Sequence, residues 1–117
     1  MRAIPKYLLI HRAELYDVMG NGVFGEKLYS EAVQLENVRI DYTSGINRDG
    51  IKGFNDKGAG QAVLIYDCRN SSPVGVEFNI GQKVIFGKRT FTVSGAAIYW
   101  GKNAPHHIEV TMDEVGL

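Results

Sequence analysis

The sequence predicts an all-β fold: a small antiparallel β-barrel or sandwich of about seven or eight short strands with one long glycine-rich loop. Three observations predict it. Apolar and polar residues alternate over short stretches, as where Val38, Ile40 and Tyr42 interleave with Asn37, Arg39 and Asp41, the period of a strand with one face in water. Glycine- and asparagine-containing breakers return every ~8–12 residues, the turn spacing of such folds. No stretch carries the apolar spacing of an amphipathic helix of normal length. At 117 residues and 44% hydrophobic, the chain has material for one core, so a single domain over 1–117 is expected. A barrel also removes the exposed edges that an open sheet rich in Val, Ile and Tyr would present.

In chain order, residues 6–19 are rich in Tyr, Leu and Ile and predict a first strand that stops at Gly20-Asn21-Gly22. A second short turn surrounds Gly25. Residues 28–35 fit two periods: Leu28, Ala32 and Leu35 share a helical face, while Val33 and Leu35 alternate. The extended reading is preferred. In the next strand Val38, Ile40 and Tyr42 point inward. Val33 and Leu35 stand in the opposite phase, so a β-bulge or bend near Glu36-Asn37 is needed to keep both pairs inside. Residues 62–67 form an apolar run too short for a typical helix and predict a central strand covered on both faces. Residues 68–73 make an irregular turn, and Gly75 and Gly81 punctuate the next pieces. Val84-Ile85-Phe86, then Gly87-Lys88, then Arg89-Thr90-Phe91-Thr92-Val93 predict a type II′ hairpin with Val84 opposite Phe91. Residues 96–100 add a short strand before Gly101. Ile108, Val110 and Met112 face inward on the last strand, with His107, Glu109 and Thr111 outward.

Between two strands lies the segment 44–61, SGINRDGIKGFNDKGAGQ. It has Gly45, Gly50, Gly53, Gly58 and Gly60, mixed charges and only Ile46, Ile51 and Phe54 as large apolar residues. Such a composition has too little apolar surface to order itself. Structureless connections longer than roughly 12–15 residues are uncommon in compact domains and tend to be functional or disordered. A functional loop, ordered by a partner or by neighbouring subunits, is expected.

Composition and motifs narrow the chemistry. Lys+Arg and Asp+Glu are both 13, so the chain lacks the basic excess of a protein whose main task is holding phosphates. Cys68 is the sole cysteine, which excludes an intrachain disulfide and any multi-cysteine zinc site and points to a reducing compartment. The apolar run Tyr7 to Ile10 is shorter than a signal-peptide core. No run approaches a membrane span, so a soluble chain made in the cytoplasm is expected. Gly58-Ala59-Gly60 enters a strand where a dinucleotide fingerprint must open a helix. Asn47, Asp49, Gly50 and Asp56 fit a calcium-loop frame in part, but Gly45 holds its first ligand position. His106 and His107 are adjacent on a strand and should point to opposite faces, leaving His107 with Glu109 on one face, too few ligands for structural zinc. His11, on an otherwise apolar strand, is a further candidate. Asp67 and Cys68 beside a histidine carry no sign of an activated thiolate. No catalytic residue, metal or cofactor is expected.

Four phrases, in order over nearly the whole chain, carry a resemblance: Ile4-Pro5-Lys6 with Leu8-Leu9-Ile10-His11; Leu35-Glu36-Asn37-Val38-Arg39-Ile40; Tyr66-Asp67-Cys68-Arg69-Asn70-Ser71-Ser72-Pro73; and His106-His107-Ile108-Glu109. Together they resemble a family of tailed-phage and prophage minor capsid proteins of the head-completion or stopper type. The resemblance implies a small β-barrel forming a ring at the head–tail junction of the virion, made in the bacterial host. The ring would sit below the portal and adaptor and above tail-completion or tail-tube proteins. It also implies that a long loop between the second and third barrel strands enters the channel and helps retain packaged double-stranded DNA without sequence specificity, the place that 44–61 takes in strand order. The channel-loop candidates are Gly45, Ile46, Arg48, Asp49, Ile51, Lys52, Phe54, Asp56 and Lys57. Glycines permit close approach about an axis, and Arg48 or Lys52 can pair with Asp49 or Asp56 of a neighbour. The alternative is a nucleic-acid-binding barrel of the oligonucleotide-binding type, with Phe54, Tyr66 or Tyr99 stacking bases.

Overall fold

The computed structural model describes residues 3–44 and 60–115. Eight strands follow a 3-10 turn at Lys6–Leu8: β1 (His11–Tyr16), β2 (Val18–Asn21), β3 (Lys27–Tyr29), β4 (Val33–Ser44), β5 (Gln61–Asp67), β6 (Lys83–Phe86), β7 (Arg89–Trp100) and β8 (Pro105–Glu114). Six of them close into an antiparallel barrel in the order β1-β4-β5-β8-β7-β6, while β2 and β3 pair as a separate hairpin. Of the two architectures the sequence allows, the barrel is the one formed.

The core explains the closure. Ala13 and Leu15 come from β1, Leu35, Val38 and Ile40 from β4, and Ala62, Leu64 and Tyr66 from β5. Val84, Phe91, Val93, Ile108, Val110 and Met112 supply the remaining strands, and Phe78 packs on them from the loop after β5. Each strand turns one face inward, so the period of two along the sequence becomes one continuous apolar interior. The alternation of Ile108, Val110 and Met112 is borne out, as is the hairpin: Val84 pairs with Phe91 and Phe86 with Arg89. Gly87 has φ +64° and Lys88 does not share that sign, the pattern of a type II′ turn.

The bulge expected near Glu36-Asn37 is present. His11 pairs with Val38 while Arg12 pairs with Glu36, leaving Asn37 as the extra residue, with φ +57°. Asparagine tolerates that left-handed conformation, and the inserted residue resets the phase so that Leu35 and Val38 are both fully buried. Further register shifts fall at Thr43, Ser94 and His106. Bulges increase local twist and bend, which a six-stranded sheet needs to meet itself.

Several local readings are corrected. The predicted strand over 6–19 is three pieces. Leu8 and Leu9 amides bond back to Pro5 and Lys6 carbonyls in the 3-10 turn, and of residues 7–10 only Leu9 is buried. At Asp17 the chain leaves the barrel, because its N–H binds Ser30 Oγ and its carbonyl binds the Ser30 N–H. Residues 96–100 are no separate strand; β7 runs through them, with Ser94 absorbed as a bulge. Val33 and Tyr42 are partly exposed at the strand ends. β5 is central, but its outer face is only half covered at Val63 and Ile65.

Candidate functional site

The two ends of β5 define two surfaces. At the first, β4 and β5 are already joined: Ser44 pairs with Gln61, next to Tyr42 with Ala62. The candidates Gly45, Ile46, Arg48, Asp49, Ile51, Lys52, Phe54, Asp56 and Lys57 lie between them, outside the described residues. Their root is well built. The Arg89 guanidinium lies 4.7 Å from the Tyr42 ring centroid, and its Nε is 3.6 Å from Glu114 Oε2. Tyr42 in turn packs at 6.2 Å on the buried ring of Phe91. Gln61 Nε2 donates to Asp113 Oδ1 at 3.1 Å, and the Glu114 amide donates to the Gly60 carbonyl at 2.8 Å. Four strands thus converge on the rim from which residues 45–59 leave.

At the opposite end, the four phrases of the sequence meet in one polar knot. The buried Asp67 carboxylate accepts the amide of Ile4 at 2.6 Å, and those of Arg69 at 2.8 Å and Asn70 at 2.9 Å. Asn70 Nδ2 donates to the Ile4 carbonyl at 2.7 Å, completing a two-point clamp on the N-terminal segment. Ser71 Oγ accepts the Asp67 amide and donates to the carbonyl of the bulge residue Asn37. The Cys68 amide reaches the His106 carbonyl at 3.0 Å. Sequence reasoning placed Asp67 at a strand end and Asn70 and Ser71 in a turn and did not find their partners, because the groups they bond lie up to 66 positions away.

The remaining chemical candidates resolve locally. The structure overturns the expectation that His106 and His107 diverge, since their Nδ1 atoms are 2.8 Å apart. His106 is the bulge residue between the pairs Tyr99–His107 and Trp100–Pro105, and a bulge suspends strict alternation. His107 does share a face with Glu109, 3.1 Å away, and Tyr99 stacks on its ring at 4.9 Å. His11 lies apart from them, its Nδ1 accepting the Ile40 amide and its ring edge-on to Phe86. Among the described residues no three His, Cys, Asp or Glu side chains are grouped to hold a metal. Asp67 is committed to backbone amides and not to an imidazole, so the Cys68 triad is not assembled. Tyr66, a candidate for base stacking, is buried, with its hydroxyl donating to the Pro73 carbonyl.

Cys68 is half-buried against the core. Burial, and then the charge of Asp67, hold its thiol above the ordinary range. A raised value favours the protonated thiol in the folded chain. Its contribution to stability is therefore complete below the ordinary thiol range, near pH 8.5, and is lost as pH rises beyond it. Alkylation by iodoacetamide at pH 8 is expected to be slower in the folded chain than in urea; equal rates would show an open thiolate.

Barrel, rim and knot together describe a small β-barrel in which the polar clusters at both ends of β5 hold strands and the N-terminal segment in place. The family model described as Minor capsid protein matches residues 5–112, and the chain belongs to that family. It is thus a phage minor capsid protein, a structural component of the virion. No curated protein and no solved structure matched the chain.

Proposed function

We propose that this minor capsid protein is the head-completion, or stopper, component. In this reading it forms a ring at the head–tail connector, below the portal and adaptor and above the tail-completion or tail-tube proteins. The segment 44–61 enters the channel and helps retain packaged double-stranded DNA. One observation carries the reading. Ser44 and Gln61 are already a strand pair, so a tight turn of two or three residues would suffice to join β4 to β5. The residues between them exceed what the fold needs. They also connect the second and third strands of the barrel, the position that the resemblance gives to a channel loop.

Deleting residues 46–58 separates fold from function. Gly45, Ala59 and Gly60 remain to bridge the pair, a three-residue connection rich in glycine. The expected result is an unchanged thermal midpoint and circular dichroism spectrum together with heads that lose their DNA. Full DNA retention by particles carrying the shortened chain would remove the plug role. Electron microscopy of particles made without this chain checks its location: free tails beside emptied heads are expected, and normal infectious virions would overturn the connector assignment.

A further inference from the structure

The β2–β3 hairpin stands outside the barrel as an arm. Neither strand contributes a residue to the core, and neither makes an extended contact with a strand of the barrel. Its root is nonetheless held firmly. The buried amide of Gln82 donates to Asp17 Oδ1 at 2.5 Å and to the Glu77 carbonyl at 3.0 Å, and accepts the Asn79 amide at 2.7 Å. Lys83 Nζ sits 4.6 Å from the Tyr16 ring centroid and 4.5 Å from that of Tyr29. Beyond this root, residues 18–25 carry no charge. Val23 and Phe24 at the tip are 91% and 93% exposed.

The barrel has a second unusual feature. On one side of β7 the last backbone bonds join Val93 to Gly81 and Gln82, each at 2.9 Å. From Ser94 to Trp100, β7 pairs only with β8 on its other side, so among the described residues this edge is open. Soluble β proteins usually guard such an edge with lysine, proline or an inward charge. Residues 93–101 contain neither a charge nor a proline, and Ile98, Tyr99 and Trp100 are 52%, 46% and 63% exposed.

We propose that neighbouring copies of this chain join head to tail, the β2–β3 arm of one copy docking on the open β7 edge, residues 94–100, of the next. The inference rests on the ring reading and names its subunit contact. Both halves of the contact lie on one chain, in different places, which is the arrangement of a heterologous interface that closes into a ring. The facing stretches, residues 18–25 of the arm and 94–100 of the edge, carry no charge, while Glu26 and Lys27 lie where the arm returns, and the net charge of zero adds little repulsion between copies. One flanking charge is complementary, although Lys27 follows it on the arm. Arg69 and Lys102 line a cavity of about 220 Å³ beside the end of β7 with no carboxylate in its wall, while Glu26 lies beside Phe24 on the arm. Pairing would give the open edge backbone partners and cover the exposed rings.

The test uses two full-length chains in a Cys68→Ala background, one carrying Phe24→Cys and the other Tyr99→Cys. Particles are assembled with each chain alone and with an equal mixture, then treated with a short bismaleimide. A covalent dimer in the mixture alone is the expected result. Dimers within either single population would mean an isologous contact and overturn the proposal. No adduct in particles that hold several copies would place the interface elsewhere while leaving the ring intact. A single copy per particle would remove the ring reading and this inference with it.

Discussion

Replacing Asp67 with alanine is expected to destabilise the fold by about 3–5 kcal/mol, read as a lower urea midpoint at unchanged slope. Three backbone amides lose their acceptor at once, and the carboxylate they share is fully buried. Hydrogen bonds to a charged group contribute roughly 1.5–3 kcal/mol each. The sum is discounted because Arg69 is exposed and its amide is within reach of water. Against a typical domain stability of about 5–15 kcal/mol, such a loss leaves the chain close to unfolding. Asp67→Asn has a narrower effect, about 1–2 kcal/mol. One amide oxygen can still serve Arg69 and Asn70, but the amide nitrogen then faces the Ile4 N–H, donor against donor. Trypsin cleavage after Lys6 should therefore accelerate in the asparagine variant while the barrel stays folded. Unchanged cleavage would show that the clamp on Ile4 contributes little.

Phe91→Ala is expected to cost a similar amount, about 3–5 kcal/mol, through the cavity left by a fully buried ring. Phe91→Leu, which keeps most of the volume, should cost about half as much. The alanine variant also bears on the rim, because Tyr42 rests on Phe91 and Arg89 on Tyr42. If the channel reading holds, particles carrying Phe91→Ala at a temperature where the chain remains folded should leak DNA faster than wild type. A stability loss below about 1 kcal/mol would contradict so closely filled a core around this ring.

Much of the fold was legible because it rests on nearest-neighbour rules. Alternation placed Val38, Ile40, Ile108, Val110 and Met112 inside, Gly87-Lys88 fixed a register, and the phase conflict between Leu35 and Val38 located a bulge at Asn37. What escaped depends on distant partners. Tyr7, Leu8 and Ile10 look like strand residues, yet Pro5 begins a 3-10 turn and they stay exposed. The departure of the chain at Asp17 is set by Ser30 and Gln82, which no local pattern announces. The closeness of His106 and His107 depends on a bulge opposite Tyr99 and Trp100. The candidate loop rests on composition and a place in strand order, and its residues 45–59 lie outside the described ones. The collar at its root required the meeting of Tyr42, Arg89 and Glu114 from three strands.

The clamp that Asp67 and Asn70 place on Ile4 gives the molecule a built-in compass. Gln61 and Asp67 are the two ends of β5, roughly 20 Å apart at the usual rise per residue. A gold cluster or small fusion attached ahead of Ile4 must emerge at the far end of that strand from residues 45–59. If the connector reading holds, the tag seen from the side in a labelled particle would show which pole of the barrel points toward the head and which toward the tail.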